Sequence, residues 1–318
     1  MLMSYSLSII IPVYNGEKFI NKNFDNCLNI IKKIKAQIIY IDNCSQDKSF
    51  LKLRKKIKNN KDFTLLKVPK KFERSPGIAR NLGIQKSKSN NIIFLDIDDK
   101  LETKNLSKLL TFLSNKNTNF IYLKKKTINQ NMRYIKSHNP FISYTKNNMS
   151  RFFRKNNNMA VISIIFKKKI LIKNKLIFQK GIYEDIFFLF KAHFYNSKKI
   201  YYFPFTVYIK CSHSKSITGS ALTFQHLERL FFAWKNIDKF LRKKLNKKRY
   251  NALLGDIQYR WRGEFANEYK KIKNSNLSLS KKREFFDFIV NRYKRFIIPN
   301  FNSLTLKDKI VKNILKLN

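Results

Sequence analysis

Phe94-Leu95-Asp96-Ile97-Asp98-Asp99 sets three carboxylates directly after the apolar run Asn91-Ile92-Ile93-Phe94-Leu95. An apolar run of that length, bounded by polar residues, predicts a central strand of a sheet covered on both faces. In open α/β sheets, ligands bind at strand ends. Three acids packed together there repel one another unless a cation sits among them. A hard divalent ion with oxygen ligands, Mn²⁺ or Mg²⁺, meets that need and would in turn hold phosphate oxygens. A solvated acidic turn is the plain alternative, and the rest of the chain decides between the two.

Working outward, Ser8-Ile9-Ile10-Ile11-Pro12-Val13-Tyr14-Asn15 predicts a strand that ends in a Pro turn. Gln37-Ile38-Ile39-Tyr40-Ile41-Asp42-Asn43 predicts another with an acid at its end. Between them Phe19, Ile20, Phe24, Cys27, Leu28, Ile31 and Ile34 recur at helical spacing. Ser45 is placed to cap a second helix carrying Phe50, Leu51, Leu53 and Ile57, and Phe63 to Val68 reads as a strand. Ser75 followed by Pro76 predicts a helix start, with an N-cap hydroxyl and Pro at the first helical position. Leu106, Leu109, Leu110 and Leu113 predict a further helix, and Phe120-Ile121-Tyr122-Leu123 a strand. This alternation predicts an α/β fold with a mainly parallel sheet and helices on both faces. Residues 124–160 are polar and poorly patterned and read as loops and short elements, before apolar runs return over 161–178. From residue 221 the pattern is helical, with Leu222, Leu227, Leu230, Phe231, Trp234, Ile237 and Leu241 on one face. Further helices are predicted over 249–272, 281–296 and 305–317.

Of the 318 residues 43% are hydrophobic, enough for a sizeable core. No apolar run approaches the ~20 residues that span a bilayer. The Leu7 to Val13 run lacks a basic leader and cleavage site and reads as a strand. Cys27, Cys44 and Cys211 have neither disulfide nor zinc spacing, which favours a reducing, cytoplasmic setting. The net charge is +47, from 67 Lys+Arg against 20 Asp+Glu. Such a charge suits nucleic acid, an anionic membrane surface or a polyanionic acceptor. Part of it reflects the Lys-, Asn- and Ile-rich coding of an AT-rich genome. Base-reading surfaces favour Arg for its bidentate fork. Arg is scarce here and the aromatics fall at core-like spacing, so no nucleic-acid partner is expected.

Two more segments complete the pattern: Ser75-Pro76-Gly77-Ile78-Ala79-Arg80-Asn81-Leu82-Gly83 and Phe178-Gln179-Lys180-Gly181-Ile182-Tyr183-Glu184-Asp185-Ile186-Phe187-Phe188. In this order and spacing the segments resemble an inverting family 2 glycosyltransferase of the GT-A fold, over roughly residues 6–220. The resemblance implies a Rossmann-like sheet in two halves, 1–100 binding a nucleotide-sugar and 101–220 binding the acceptor, with 221–318 as a basic helical C-terminal extension. It implies that Asp98 contacts the ribose or the metal, that Asp99 coordinates the metal and that Asp96 supports the cluster. Pro12, Tyr14 and Asn15 then pack against the nucleotide base. Asp42-Asn43 stands where the family usually has Asp-Asp, whose second acid accepts a hydrogen bond from the uracil ring NH. Asn43 can accept through its carbonyl oxygen but also donates, so UDP is favoured and the base is left open. Arg80, with Arg74 as a weaker counterpart, is placed to reach a phosphate or the acids. Asp185 is implied as the base that takes the acceptor's proton, with Glu184 orienting the acceptor. Acids favourably placed at a helix N-terminus are the alternative reading of that pair. His213 is implied either to close over the diphosphate or to ligate the metal, with Lys210 and Lys215 in the same charge role.

The resulting expectation is a cytoplasmic, metal-dependent hexosyl- or N-acetylhexosaminyl-transferase using a nucleotide-sugar donor, with UDP-sugar favoured. Its acceptor is a hydroxyl of a bacterial surface glycan, lipooligosaccharide or capsule, in free or lipid-linked form. Basic runs after residue 220 would dock on the anionic inner face of the membrane. The rival is a catalytically silent nucleotide-sugar or polyanion-binding module with the same fold. It has no need for both Glu184-Asp185 and Asp98-Asp99.

Overall fold

The computed structural model describes residues 5–58, 60–72, 75–116, 118–129, 131–138, 148–155, 160–180, 183–196, 200–213 and 223–297. Arg74, Lys215, Leu222 and the helix expected over 305–317 lie outside these residues. The chain forms two compact units, one of residues 1–146 and 158–219, the other of 147–157 and 220–318.

The first unit runs β1 (Leu7–Val13), α1 (Ile20–Lys33), β2 (Ala36–Asp42), α2 (Ser49–Lys56), β3 (Phe63–Lys67), α3 (Pro76–Lys86), β4 (Asn91–Phe94), β5 (Lys100–Leu101), α4 (Leu106–Asn115), β6 (Phe120–Ile128) and β7 (Tyr134–His138). Helix α5 (Asn148–Lys155) belongs to the second unit. The first then resumes with β8 (Ile164–Lys167), α6 (Lys168–Lys173), α7 (Glu184–Asn196) and β9 (Ile200–Cys211). Its sheet has the order β3-β2-β1-β4-β8-β6-β9-β5, with β7 also paired to β6.

The expected parallel pairing holds through β3-β2-β1-β4. Beyond β4 the sheet is mixed. β8 runs antiparallel to both β4 and β6, while β9 is parallel to β6. Period-two alternation splits the strand residues between two apolar layers. Ile9, Ile11, Ile38, Tyr40 and Ile93 join Phe24, Cys27 and Ile30 of α1 on one face. Ile10, Ile39, Ile41, Ile92 and Phe94 join Ala79 and Ile84 of α3 on the other. Because both faces are buried, β1 and β2 read as unbroken apolar runs and not as alternating ones.

Two glycines bring α3 close to its neighbours. A Cβ on Gly83 would stand 2.4 Å from Ile10 Cγ2, and one on Gly77 would stand 2.7 Å from the Gln179 carbonyl oxygen and 2.7 Å from Glu184 Cγ. Only a residue without a side chain fits at either contact.

Three local expectations are corrected. Ser45 does not cap α2. That helix begins at Ser49, whose N–H donates to Asp47 Oδ1 at 2.9 Å, while Ser45 Oγ accepts from the Asn15 N–H. Ser75 and Pro76 do start α3, but the Ser75 hydroxyl does not cap it. Residues 124–138 are not loop. Strand β6 continues to Ile128 and turns into a hairpin with β7, its polar sequence carried by backbone pairing to β7 and β9.

The second unit packs α5 with α8 (Phe224–Lys244), α9 (Lys247–Lys273) and α10 (Leu279–Ile297). The Thr223 hydroxyl caps α8 by accepting from the His226 N–H, and Leu227, Leu230, Phe231, Trp234, Ile237 and Leu241 form its buried face, as the spacing predicted. Arg154 of α5 pairs with Asp256 of α9. Among the described residues no helix is long and apolar enough to cross a membrane.

Candidate active site

The site is assembled where β1, β2 and β4 end. The loops after β1 and β2 are laced together: Asn15 Oδ1 accepts from the Gln46 N–H at 2.8 Å, Ser49 Oγ from the Gly16 N–H at 2.9 Å, and Asp47 Oδ2 from the Glu17 N–H at 3.0 Å. Asn15 takes a left-handed φ of 47°, which Asn tolerates better than most residues. Pro12 and Tyr14 are half-buried and Asn15 is exposed. Asp42 is fully enclosed, its carboxylate accepting from the Ser45 N–H, and Asn43 is also buried, its Oδ1 accepting from the Ser75 N–H at 3.3 Å. In this geometry Asp42 and Asn43 organise the loop beside the start of α3, and the carbonyl oxygen of Asn43 is already engaged.

Asp96, Asp98 and Asp99 follow β4 with one carboxylate oxygen from each within 4.8 Å of the others. The three are not equivalent. Asp99 is 4% exposed, and its two oxygens accept from the Tyr208 hydroxyl at 2.6 Å and the Cys211 N–H at 2.8 Å. Burial, then the charges of Asp96 and Asp98, hold its pKa well above the carboxylate range. Asp96 is pushed up by burial too, against the pull of Arg80. Asp98 Oδ2 lies 2.6 Å from His213 Nε2. The His213 ring sits 5.2 Å from that of Phe19, and among the described residues its buried Nδ1 has no hydrogen-bond partner. This set fits a hard divalent ion. The acids are all oxygen donors, their mutual repulsion marks a missing positive charge, and Asp96 and Asp98 are less enclosed than Asp99.

Arg80 of α3 connects this cluster to the second acidic pair. Its Nη2 reaches Asp96 Oδ1 at 3.3 Å and its Nη1 reaches Glu184 Oε1 at 2.5 Å. The guanidinium also lies against the rings of Phe178 and Phe94, at 5.7 and 6.0 Å. Burial opposes its charge, but Glu184, Asp96 and Asp185 outweigh that and raise its pKa. Glu184 is thereby ion-paired and buried. Asp185, next to it at the start of α7, is half-buried, and among the described residues no side chain donates to it. Burial, then the neighbouring Glu184 charge, push it up to about 7. A carboxylate with a pKa near neutrality is matched to proton abstraction.

Several residues of this arrangement escaped the sequence reading. Asn81 exchanges two hydrogen bonds with the backbone of Phe178, both 2.9 Å, and so pins the segment around Phe178 onto α3. Gly77 makes room for that same segment. Tyr208 sits in an apolar strand and reads as core; its phenol, which needs a partner when buried, is the one signal it gives.

The model of the family described as Glycosyl transferase family 2 matches residues 8–177. An uncharacterized glycosyltransferase of Haemophilus influenzae is 36% identical over 107 residues, 34% of this chain and 42% of that protein. The Staphylococcus aureus poly(ribitol-phosphate) beta-N-acetylglucosaminyltransferase TarP is 27% identical over 177 residues, 54% of this chain and 52% of that protein. The chain therefore spans about half the length of these two relatives. Among solved structures, S. aureus TarS 1–349 in complex with UDP-GlcNAc superposes with a TM-score of 0.69 at 16% identity, covering 92% of this chain and 81% of that one.

Proposed function

Because the chain belongs to glycosyl transferase family 2, we propose that it moves a sugar from a nucleotide-diphosphate donor, with UDP-sugar favoured, to a hydroxyl of a bacterial surface glycan. Its fold is that of the GT-A glycosyltransferases. The observation that carries the proposal is the Arg80 bridge, which ties Asp96 of the donor-side acids to Glu184, next to Asp185, to which no side chain among the described residues donates. In the proposed reaction Asp185 accepts the proton of the acceptor hydroxyl as its oxygen bonds to the anomeric carbon. The bond to the diphosphate breaks on the opposite side, its electron pair leaves with the nucleotide, and the single displacement inverts the centre. Glu184, fixed by Arg80, holds the start of α7 in place. Asp98, with His213 and Asp96, would hold Mn²⁺ or Mg²⁺, and Asp99 shapes the cluster through Tyr208 and the Cys211 N–H. Such an ion, when bound, offsets the charge that develops on the leaving diphosphate.

A panel of nucleotide-sugars titrated with and without Mn²⁺ tests the donor assignment. One UDP-sugar should bind in a metal-dependent manner and be hydrolysed slowly, and EDTA should abolish both. Binding without any turnover, in the presence of acceptor glycans, would favour the silent binding module instead.

The proposal extends to where the acceptor is met. Lys243, Lys244, Lys247, Lys248 and Arg249 are exposed around the turn between α8 and α9. Each contributes about 1 kcal/mol beside an anionic surface, so a cluster of this size attaches a protein peripherally at the inner leaflet, where lipid-linked lipooligosaccharide or capsule precursors are presented. In co-sedimentation the protein should pellet with vesicles containing anionic lipid and be released as salt shortens the screening length. Equal pelleting with neutral vesicles would refute this.

A further inference from the structure

The side of the sheet that carries the acids also carries lysines. In the ladder between β6 and β9, Lys125 lies opposite Tyr208 and Thr127 opposite Lys210. In the hairpin, Thr127 also lies opposite Lys136. Residues paired across a ladder, and those two apart along a strand, project to the same side. Lys125, Lys136 and Lys210 therefore share the side from which the Tyr208 hydroxyl meets Asp99.

Lys125 is the unusual member. It is 8% exposed, and among the described residues no carboxylate or carbonyl is bonded to its ammonium. The nearby acids do not serve as its counter-ions, since the oxygens of Asp99 are taken by Tyr208 and the Cys211 N–H and Asp96 pairs with Arg80. Burial, then Lys210 and Lys136, bring its pKa down to about 8, a fall that Asp99 and Asp96 only partly offset. An ammonium held out of water beside two like charges lacks an anion. Lysines that served only to balance the acids would be paired with them.

We propose that Lys125, Lys136 and Lys210 form a subsite for an anionic group of the acceptor, a phosphodiester or a carboxylate, held beside the hydroxyl that attacks. This rests on the glycosyltransferase reading above and assigns the acceptor a charge. The position favours the acceptor over the donor: the lysines stand on β6, β7 and β9, in the second half of the sheet, whereas the acid cluster follows β4 of the first half.

The test titrates a synthetic oligo(glycerol phosphate) into the full chain saturated with UDP and Mn²⁺, at a salt concentration that suppresses diffuse attraction to a basic protein. The parent should bind it. Lys125→Met and the less buried Lys210→Met should each weaken binding about tenfold or more, the loss of a charge-assisted contact. Lys126→Met should bind as the parent does, because Lys126 alternates to the other side of β6 and pairs with Glu102 at 3.9 Å. The melting temperature of Lys125→Met should match or exceed that of the parent, which separates lost binding from lost folding. Parental affinity in both Lys125→Met and Lys210→Met overturns the proposal. Displacement of the oligomer by UDP and Mn²⁺ also overturns it, and would reassign the lysines to the donor diphosphate. If UDP and Mn²⁺ do not bind at all, it is the donor reading that fails. The oligomer titrated alone against the same variants then still decides the lysine site.

Discussion

Asp185→Asn lowers kcat for sugar transfer by about 10²–10⁴ and leaves the affinity for donor and Mn²⁺ near the parental value. The amide keeps the volume and position of the carboxylate but has no lone pair basic enough to take a hydroxyl proton. In the parent, kcat/KM should climb as pH passes through about 7, the value to which burial and Glu184 bring Asp185. The sign follows from a folded-state pKa raised above the ordinary 3.8. The proton stays on at mildly acidic pH, the base is inactive there, and activity is gained as the proton leaves. The same shift means that the stability associated with Asp185 is fully present below about 4 and is lost as pH rises toward 7. Asp185→Asn should therefore melt no earlier than the parent at pH 8, while losing the rising limb of the pH profile. Steady-state kinetics across pH, with donor and acceptor varied separately, is the measurement. Turnover near the parental rate would remove Asp185 from the base role.

The second large effect belongs to Asp98. Asp98→Ala should abolish the Mn²⁺ dependence of donor binding and cut transfer by about 10²–10⁴, several kcal/mol of lost charge stabilisation at the leaving diphosphate. Asp98 is the acid joined to His213 and is less enclosed than Asp99. Asp99→Ala should behave differently. It strands the Tyr208 hydroxyl and the Cys211 N–H, both of which now donate to it. A buried donor left without an acceptor, here the Tyr208 hydroxyl, costs about 1–3 kcal/mol, so the variant loses stability as well as metal response. Calorimetric titration with Mn²⁺ and UDP-sugar, beside thermal unfolding of both variants, separates the roles. Parental metal binding by Asp98→Ala would overturn the assignment.

That difference between Asp98 and Asp99 marks the boundary of what the sequence shows. Strands β1, β2 and β4 are legible because both their faces are buried and each holds an apolar run rich in Ile, over residues 9–13, 38–41 and 92–94. Acids at their ends are legible because charge after such a run has to lie at an edge. The division of labour among three neighbouring aspartates is not legible, since it depends on Tyr208 and Cys211 arriving from a strand more than a hundred residues away. Strand β5 has two residues and leaves no periodic trace. Lys125 stands in a run of three lysines that reads as solvated loop, although cross-strand pairing buries the middle one. Arg80 shows the opposite case. Its reach to the acid cluster was expected, but not that it would be buried as the link between both acidic sites.

The pairing of β5 with β9 also fixes an order of events during synthesis. The loop bearing Asp98 and Asp99 leaves the ribosome well before the partners of those two carboxylates, 115 residues ahead of His213. At ordinary elongation rates that interval is on the order of ten seconds. Throughout it β1 to β4 can pair, since their contacts are already present in the emerged chain. In that interval Asp96 already has Arg80, and the Asp99 carbonyl already has Asn23, but the carboxylates of Asp98 and Asp99 still lack His213, Tyr208 and the Cys211 N–H. The cation cradle of a nascent chain is therefore unfinished while β1 to β4 are already available to pair, and it closes only when the last strand of the sheet is laid down.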